Sequence, residues 1–338
     1  MSILLTQLPV PQLNFGRRTG NLPLAAACLQ QAWAPRHPDG VEILPQASAT
    51  YLGDGALLEA VCSRQPAAVG FSTYAWNVDR TLDLVRRLKE HLEVRILLGG
   101  PEITPDNPRI QASGADLLVS GEGESLLDTL SEDPALWEPD WVTTPPYAAF
   151  GLRPGPYVEG HLDPTLENTV LLETQRGCPH RCGYCYYGKG RRRVHLATEA
   201  NVLAAFQWAH DAGAAELYLL DPSLDARPGL KKILRRMAKI NADQAMALNS
   251  EIRAEAVDEA LADHLAAAGF KGLEIGLQST NPVALKRTGR SCHLERFIRG
   301  TQHLMAMGIA CSVDLIIGLP GDTLADFRRS VDLVVDHG

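Results

Sequence analysis

The chain has 338 residues, 45% of them hydrophobic and 21% charged, which suggests about two globular domains at roughly 150 residues each and excludes a disordered chain. With 32 Lys and Arg against 40 Asp and Glu the formal net charge is −8, so nothing global draws the chain to a phosphate backbone and nucleic acid is not an expected partner. No apolar run reaches the 18 or so residues needed to span a bilayer, and the opening MSILLTQLPVPQLNF lacks the basic start and longer apolar stretch of a signal peptide; the expected setting is cytoplasmic.

Apolar runs alternate with amphipathic stretches from the start. SILLTQL reads as a strand, 21–34 as a helix, VEILP (41–45) as a strand, 55–64 as a helix and AAVGFST (67–73) as a third strand. The clearest amphipathic helix is 77–92, with Val78, Leu82, Leu84, Val85, Leu88 and Leu92 on one side. VRILLGG (94–100) and DLLVSGEGE (116–124) supply strands four and five. Their near-continuous apolar character suits strands covered on both faces, so residues 1–130 are expected to form an α/β domain, a doubly wound parallel sheet with flavodoxin-like strand order.

Ligands of such sheets bind beyond the carboxyl ends of the strands. Three of those ends are unusual: Ser72-Thr73-Tyr74, Gly99-Gly100-Pro101 and Gly121-Glu122-Gly123. Glycines there leave room for a large ligand or supply turns of positive φ, and they also simply end strands. A nicotinamide site is a poor match, because TQLPVPQLNFG carries no Gly-x-Gly-x-x-Gly after the first strand. A phosphorylated receiver is equally poor, because Phe71-Ser72-Thr73 offers no aspartate. Residues 131–168 hold 7 of the 22 prolines without sustained periodicity and read as a linker, its aromatics Trp137, Trp141, Tyr147, Phe150 and Tyr157 suggesting that it packs on the domains.

From 169 the alternation resumes. Strands are expected at 168–177, 215–221, 245–251, 271–279 and 310–320, with helices at 198–212, 229–240, 255–268, 293–307 and 323–335. Repeated βα units of this length suggest a parallel barrel, whose chemistry sits at the C-terminal strand ends. The first of these strands runs directly into Cys178-Pro-His-Arg-Cys182-Gly-Tyr-Cys185.

There are seven cysteines. An odd number spread over a long chain argues against a disulfide framework. Cys28, Cys62 and Cys311 lie in apolar helix or strand text and read as small buried hydrophobes, and Cys292 as a structural loop residue. The remaining three crowd one loop and point to a metal. Structural zinc wants four ligands, commonly as paired motifs, and His180 sits awkwardly inside the loop for a tetrahedral site. A [4Fe–4S] cluster on three thiolates leaves one iron open, and the Cys-x-x-x-Cys-x-x-Cys spacing after the first barrel strand favours it.

The stretch TQRGCPHRCGYCYYG resembles the signature loop of the radical S-adenosylmethionine (SAM) superfamily, and the similarity runs over about 170 residues. That resemblance implies Cys178, Cys182 and Cys185 as cluster ligands and Tyr184 as the aromatic whose loop lies on the SAM adenine. It places Asp221, at the end of the second strand, near the methionine amino group, although the common Gly-Gly-Glu version is absent. Glu251 and Arg253 resemble the pair holding ribose and carboxylate; Gln278, in Glu274-Ile-Gly-Leu-Gln278-Ser279, the ribose motif; and Gly318 the turn near adenine. With LGGPEIT and VSGEGE before the barrel, the first half resembles the cobalamin-binding domain of the cobalamin-dependent subfamily, with Ser72, Tyr74, Gly99, Gly100, Pro101 and Glu122 facing the corrin or its nucleotide tail. No Asp-x-His-x-x-Gly follows the first strand, so no histidine ligand to cobalt is expected.

The resemblance implies a [4Fe–4S] cluster, S-adenosylmethionine and cobalamin as cofactors, reductive SAM cleavage to a 5′-deoxyadenosyl radical, and methyl transfer to an unactivated carbon. Radical rearrangement, cyclisation or oxidation without methyl transfer is the alternative, and a non-catalytic cofactor-binding protein another. The expected partners are a small-molecule or peptide substrate and an electron donor such as flavodoxin or ferredoxin. Lys189, Arg191, Arg192 and Arg193 read either as a solvated turn or as a patch for a carboxylate, a phosphate or an acidic substrate. Arg86, Arg87, Lys231 and Lys232 read as solvated helix faces. Five strands follow the linker where the radical SAM barrel has six, so 169–338 is expected to form a partial barrel lacking the last βα unit.

Overall fold

The computed structural model describes residues 2–10, 21–37, 40–129, 140–163, 168–187 and 194–337. The chain divides into two compact units, Met1–Ala149 with Pro156–Glu167, and Phe150–Gly155 with Asn168–Gly338. The stretch expected as a linker is therefore shared between them.

The first unit holds strands β1 (Ile3–Thr6), β2 (Val41–Ile43), β3 (Ala68–Ser72), β4 (Arg95–Gly99), β5 (Leu117–Ser120) and β6 (Trp141–Thr143), in the order β2-β1-β3-β4-β5-β6. Every neighbouring pair is parallel. The first five have the flavodoxin-like order expected from the βα alternation. β6, from the proline-rich text, adds a strand that three residues of ambiguous pattern could not announce.

Alternation of side chains builds a core on each face of this sheet. Leu4, Val69, Phe71, Ile96 and Leu98 point to one side, where they meet Leu57, Val61, Val85 and Leu88. Ile3, Leu5, Ala68, Leu97, Leu117 and Val119 point to the other, against Ala26 and Trp33. The amphipathic helix spans Val78–His91 and buries Val78, Leu84, Val85 and Leu88. The expected helix over 55–64 is Asp54–Cys62, preceded by a separate short helix, Gln46–Tyr51.

The second unit holds β7 (Thr169–Leu172), β10 (Glu216–Leu219), β11 (Ala247–Ile252), β12 (Phe270–Gln278) and β13 (Ala310–Leu315), in the order β13-β12-β11-β10-β7 and parallel throughout. Val170, Leu172, Leu217, Leu219, Leu248, Ile252, Leu273, Ile275 and Leu277 are buried, together with Phe206, Leu234, Met237, Leu261, Leu265 and Leu304 of the flanking helices. The alternate positions, among them Tyr218, Asn249, Glu251, Glu274 and Gln278, are half-buried or exposed. This is the partial barrel expected, with β13 at one edge.

The strand expected over 168–177 is broken. After Leu172 the chain leaves the parallel sheet, and β8 (Gln175–Arg176) pairs antiparallel with β9 (His195–Leu196). The break has a local cause at Thr174, described below. Helix starts follow their caps: Thr198 accepts from Asn201 N (3.2 Å) and Asp258 from Leu261 N (2.7 Å). The cap at Asp258 starts that helix at Glu259, later than the expected 255, and 254–256 forms a single 3-10 turn.

Candidate cofactor sites

In the second unit, the cysteine loop leaves the strand ends in a fixed direction because of one carboxylate. Asp221 Oδ1 accepts hydrogen bonds from Thr174 N (2.8 Å) and Gln175 N (3.0 Å), and Oδ2 accepts from the Thr174 hydroxyl. Those backbone donors are thereby withdrawn from the sheet ladder, which is why β7 ends at Leu172. Arg227, also buried, donates to the Thr174 and Ala197 carbonyls, and Gln175 Nε2 donates to Ser223 O (3.0 Å). Arg176, just before the loop, bridges Glu173 (2.8 Å) and lies 4.4 Å over the Phe150 ring.

Cys178, Cys182 and Cys185 are all half-buried, and no disulfide joins any of the seven cysteines. Cys185 N donates to Cys182 O (3.0 Å), closing the turn between the second and third thiols. Burial pushes the Cys178 thiol up, and the nearby Cys185 and Cys182 add to that effect. Among the described residues, no three His, Cys, Asp or Glu side chains converge on a point where a single ion would sit. Three thiols in one short loop are a donor set that suits a [4Fe–4S] cluster. Cys28, Cys62 and Cys311 are half-buried, where full burial was expected.

A second loop backs the first. Gly183 N donates to Thr288 O (2.7 Å). Gly289 has φ +69°, and a Cβ there would lie 2.9 Å from Arg181 O. Arg253 Nη1 meets His180 Nδ1 at 3.1 Å, while Nη2 reaches Glu255 (3.2 Å) and the Ser291 carbonyl. Burial, then the Arg253 charge, pulls the His180 pKa down, which keeps its ring neutral and able to accept.

These contacts bear on two of the SAM expectations. Asp221 has 0% exposure and both its oxygens accept hydrogen bonds from the start of the cysteine loop. The Arg253 guanidinium is turned into the loop pair, with its side chain 16% exposed. Tyr184 is half-buried, its hydroxyl enclosed beside Arg290 and Cys182, and burial raises its pKa. Glu251 is on the open face of the sheet, its pKa raised by burial and then by Glu274 and Asp314. Gln278 has φ +70°, rare for a side-chain-bearing residue. A Cβ on Gly276 would lie 2.3 Å from Gln278 Nε2, so glycine is what leaves room for that amide. Gly318 is exposed at φ +84° with open space around it. Arg290, which no sequence motif marks, is 9% exposed behind the loop.

In the first unit, the strand ends are joined by Asn77. Its Nδ2 donates to Leu8 O (3.0 Å) after β1 and to Ser72 O (3.1 Å) at the end of β3, and its Oδ1 accepts from Tyr74 N (2.8 Å). From its local pattern Asn77 is only a helix start, because a contact 69 residues away leaves no local signal. The Thr6 and Thr73 hydroxyls, at the ends of β1 and β3, are buried without a hydrogen-bond partner among the described residues. They flank the point where the strand order reverses, the place where such sheets hold ligands. Tyr74 stacks on Trp76 at 4.5 Å between centroids and 6° between planes, and Trp76 is 47% exposed.

The glycines separate into two kinds. Gly100 (φ +111°) would put a Cβ 2.6 Å from Thr73 O, and Gly121 (φ +102°) 2.4 Å from Thr144 O. Both are required by neighbouring backbone. Gly99, by contrast, has nothing within 4 Å of its Cβ position. Pro101 is half-buried, Ser72 is 9% exposed and Glu122 4%.

Residues 172–334 match the family model of the Radical SAM superfamily, and residues 24–131 match that of the B12 binding domain. The chain belongs to the cobalamin-dependent radical SAM family. Within this family it is 25% identical over 356 residues to 2-(S-pantetheinyl)-carbapenam-3-carboxylate methyltransferase of Streptantibioticus cattleyicolor, covering 94% of this chain and 52% of that protein. It is 24% identical over 313 residues to the cobalamin-dependent radical SAM methyltransferase TokK of Streptomyces tokunonensis, covering 81% and 45%. The chain thus spans about half the length of the curated relatives it matches. Its fold is that of the radical SAM methyltransferase TsrM from Kitasatospora setae (TM-score 0.77, 19% identity, 99% of this chain and 71% of that one). It is likewise that of OxsB (TM-score 0.73, 18% identity, 98% and 51%).

The cofactors of a cobalamin-dependent radical SAM protein are cobalamin, a [4Fe–4S] cluster and SAM, and the donor sets present fit them: three thiols in one loop, and at the other sheet an aromatic platform beside orphan hydroxyls and an open glycine. Lys189, Arg191, Arg192 and Arg193, the possible anion patch, lie outside the described residues. No described helix is long and apolar enough to cross a membrane.

Proposed function

We propose that this chain catalyses radical SAM chemistry with methyl transfer to an unactivated carbon of a small organic substrate. The observation that carries the proposal is the three-cysteine loop, aimed by Asp221 from the end of a parallel sheet, in a chain that also holds a B12 binding domain. When bound, the cluster supplies an electron for SAM cleavage and cobalamin carries the methyl group. Cys178, Cys182 and Cys185 hold the cluster. Tyr184, Glu251, Gln278 and Gly318, around the open face of the same sheet, hold SAM. Ser72, Tyr74, Gly99, Pro101 and Glu122 surround the corrin or its tail, with Thr6, Thr73 and Trp76 added by the geometry. Two relatives support a small-molecule substrate: one is a methyltransferase of a pantetheinyl carbapenam carboxylate, and TsrM was solved with tryptophan as substrate. The electron comes from a low-potential one-electron donor, such as a flavodoxin or ferredoxin.

The test is anaerobic reconstitution with iron, sulfide and hydroxocobalamin, followed by labelled SAM under reducing conditions. The expected result is cluster absorbance and 5′-deoxyadenosine, both lost when all three cysteines are replaced by alanine. A triple variant indistinguishable from the parent chain would sink the assignment. 5′-Deoxyadenosine without label in any product would keep the radical step and remove methyl transfer.

A further inference from the structure

Arginine is almost never fully buried without an anionic partner, because stripping water from a cation is costly. Arg290 is 9% exposed, yet no carboxylate lies within ion-pair distance of it among the described residues. Its Nη2 donates to the neutral Gly276 carbonyl, and its Nε is buried with no partner. Its guanidinium faces Cys182 and Tyr184 of the cysteine loop.

The backbone around it is fixed against the same loop. Thr288 O receives Gly183 N at 2.7 Å, Gly289 packs under Arg181 O, and Ser291 O accepts from Arg253, which also holds His180. Arg290 therefore sits in a two-loop clamp, with its positive charge directed at the thiol side.

We propose that Arg290 is a built-in counter-charge for the cluster, raising its electron affinity. This rests on the reading of Cys178, Cys182 and Cys185 as cluster ligands. Thiolates and the cluster they hold form a net anion, and reduction adds one more negative charge. A cation buried beside that anion at low effective dielectric favours the reduced form over the oxidised one. Among the described residues the nearest compensating carboxylate, Glu255, acts on Arg290 only from beyond ion-pair distance, so a bound anion beside Cys182 adds a closer partner.

The experiment is an EPR-monitored redox titration of the anaerobically reconstituted chain, with iron counted per protein, for the parent, Arg290→Met and Arg290→Lys. Methionine keeps much of the volume and removes the charge; lysine keeps the charge. The expected result is full iron uptake in all three, a midpoint potential shifted to more negative values in R290M, and a value near the parent in R290K. An iron-loaded R290M with the parental midpoint overturns the proposal. So does failure of both variants to take up iron while circular dichroism shows them folded, since Arg290 would then be only a clamp. A parent chain that takes up no iron refutes the cluster reading itself, a different and distinguishable failure.

Discussion

Thr174 is held by Asp221 through both its backbone N–H and its hydroxyl, across 47 residues of sequence and at full burial. That double hold ends β7 and starts the cysteine loop. It also leaves a carboxylate in the interior whose pKa burial pushes up to about 6, against the hydrogen bonds from Thr174 and Gln175 and the charge of Arg227 that pull it down.

A raised folded-state pKa gives a definite sign. Between about pH 4 and pH 6 the native chain binds the Asp221 proton more tightly than the unfolded chain, so stability falls as pH rises through that window and levels off above it. The cost accumulated at neutral pH is of order 2–3 kcal/mol. Asp221→Asn removes this titration. The difference in unfolding free energy between parent and variant should shrink as pH climbs from 4 to 6.5, measured by hydrogen exchange of the β7 and β10 amides. A pH-independent difference would show that Asp221 stays ionised in the folded chain.

Adjacent glycines at the end of β4 should behave oppositely. Gly100→Ala forces a Cβ to 2.6 Å from Thr73 O at φ +111°, and should cost about 1–3 kcal/mol. Gly99→Ala meets nothing within 4 Å and should leave the melting temperature unchanged. If the strand ends hold the corrin, Gly99→Ala weakens hydroxocobalamin binding without destabilising the protein. Equal binding in parent and G99A would remove Gly99 from the ligand surface.

Asn77→Ala deletes three hydrogen bonds at a position 1% exposed. The Leu8 and Ser72 carbonyls lose a donor, at about 2–3 kcal/mol. Thermal unfolding should register that loss. Cobalamin affinity should fall with it, because the ends of β1 and β3 separate where Thr6 and Thr73 stand.

Gly300 lies in the helix Leu294–Ala306, where a Cβ would sit 1.9 Å from Ala254 O. Gly300→Ala must push the helix from the 254–256 turn and should destabilise by roughly 1–3 kcal/mol or more. Arg253, one residue before that turn, should shift too, so iron uptake should drop beyond what the stability loss explains. Normal iron uptake in G300A would show the Arg253–His180 contact to be dispensable.

Much of this was legible in the sequence. Buried parallel strands need continuous apolar runs, and ILLT, AVGFS, RILLG and LLVS supply them. The helix Val78–His91 declared itself by a one-sided apolar face. The cysteine triad was visible because its three thiols come from eight consecutive residues. What failed to show was long-range. Asp221 looked like a ligand-facing residue at a strand end, and Arg253 looked like a SAM contact, because both stand at the register where such contacts occur. The sequence could not show that these side chains also bond partners 47 and 73 residues away. β6 hid in proline-rich text because three residues carry too little periodicity to read.

The α/β character of both units, the family resemblance and the three-cysteine motif could be read from the chain alone, because periodicity and motif spacing are properties of consecutive residues. The tertiary structure alone decided which residues of the motifs face outward: that Gly99 is open while Gly100 is filled by Thr73, that Asp221 and Arg253 aim the loop, and that Arg290 stands buried behind it. Exposure and pairing depend on what the folded chain brings alongside, and for a polar side chain at a strand end the nearest donor or charge comes from a segment that no local pattern names.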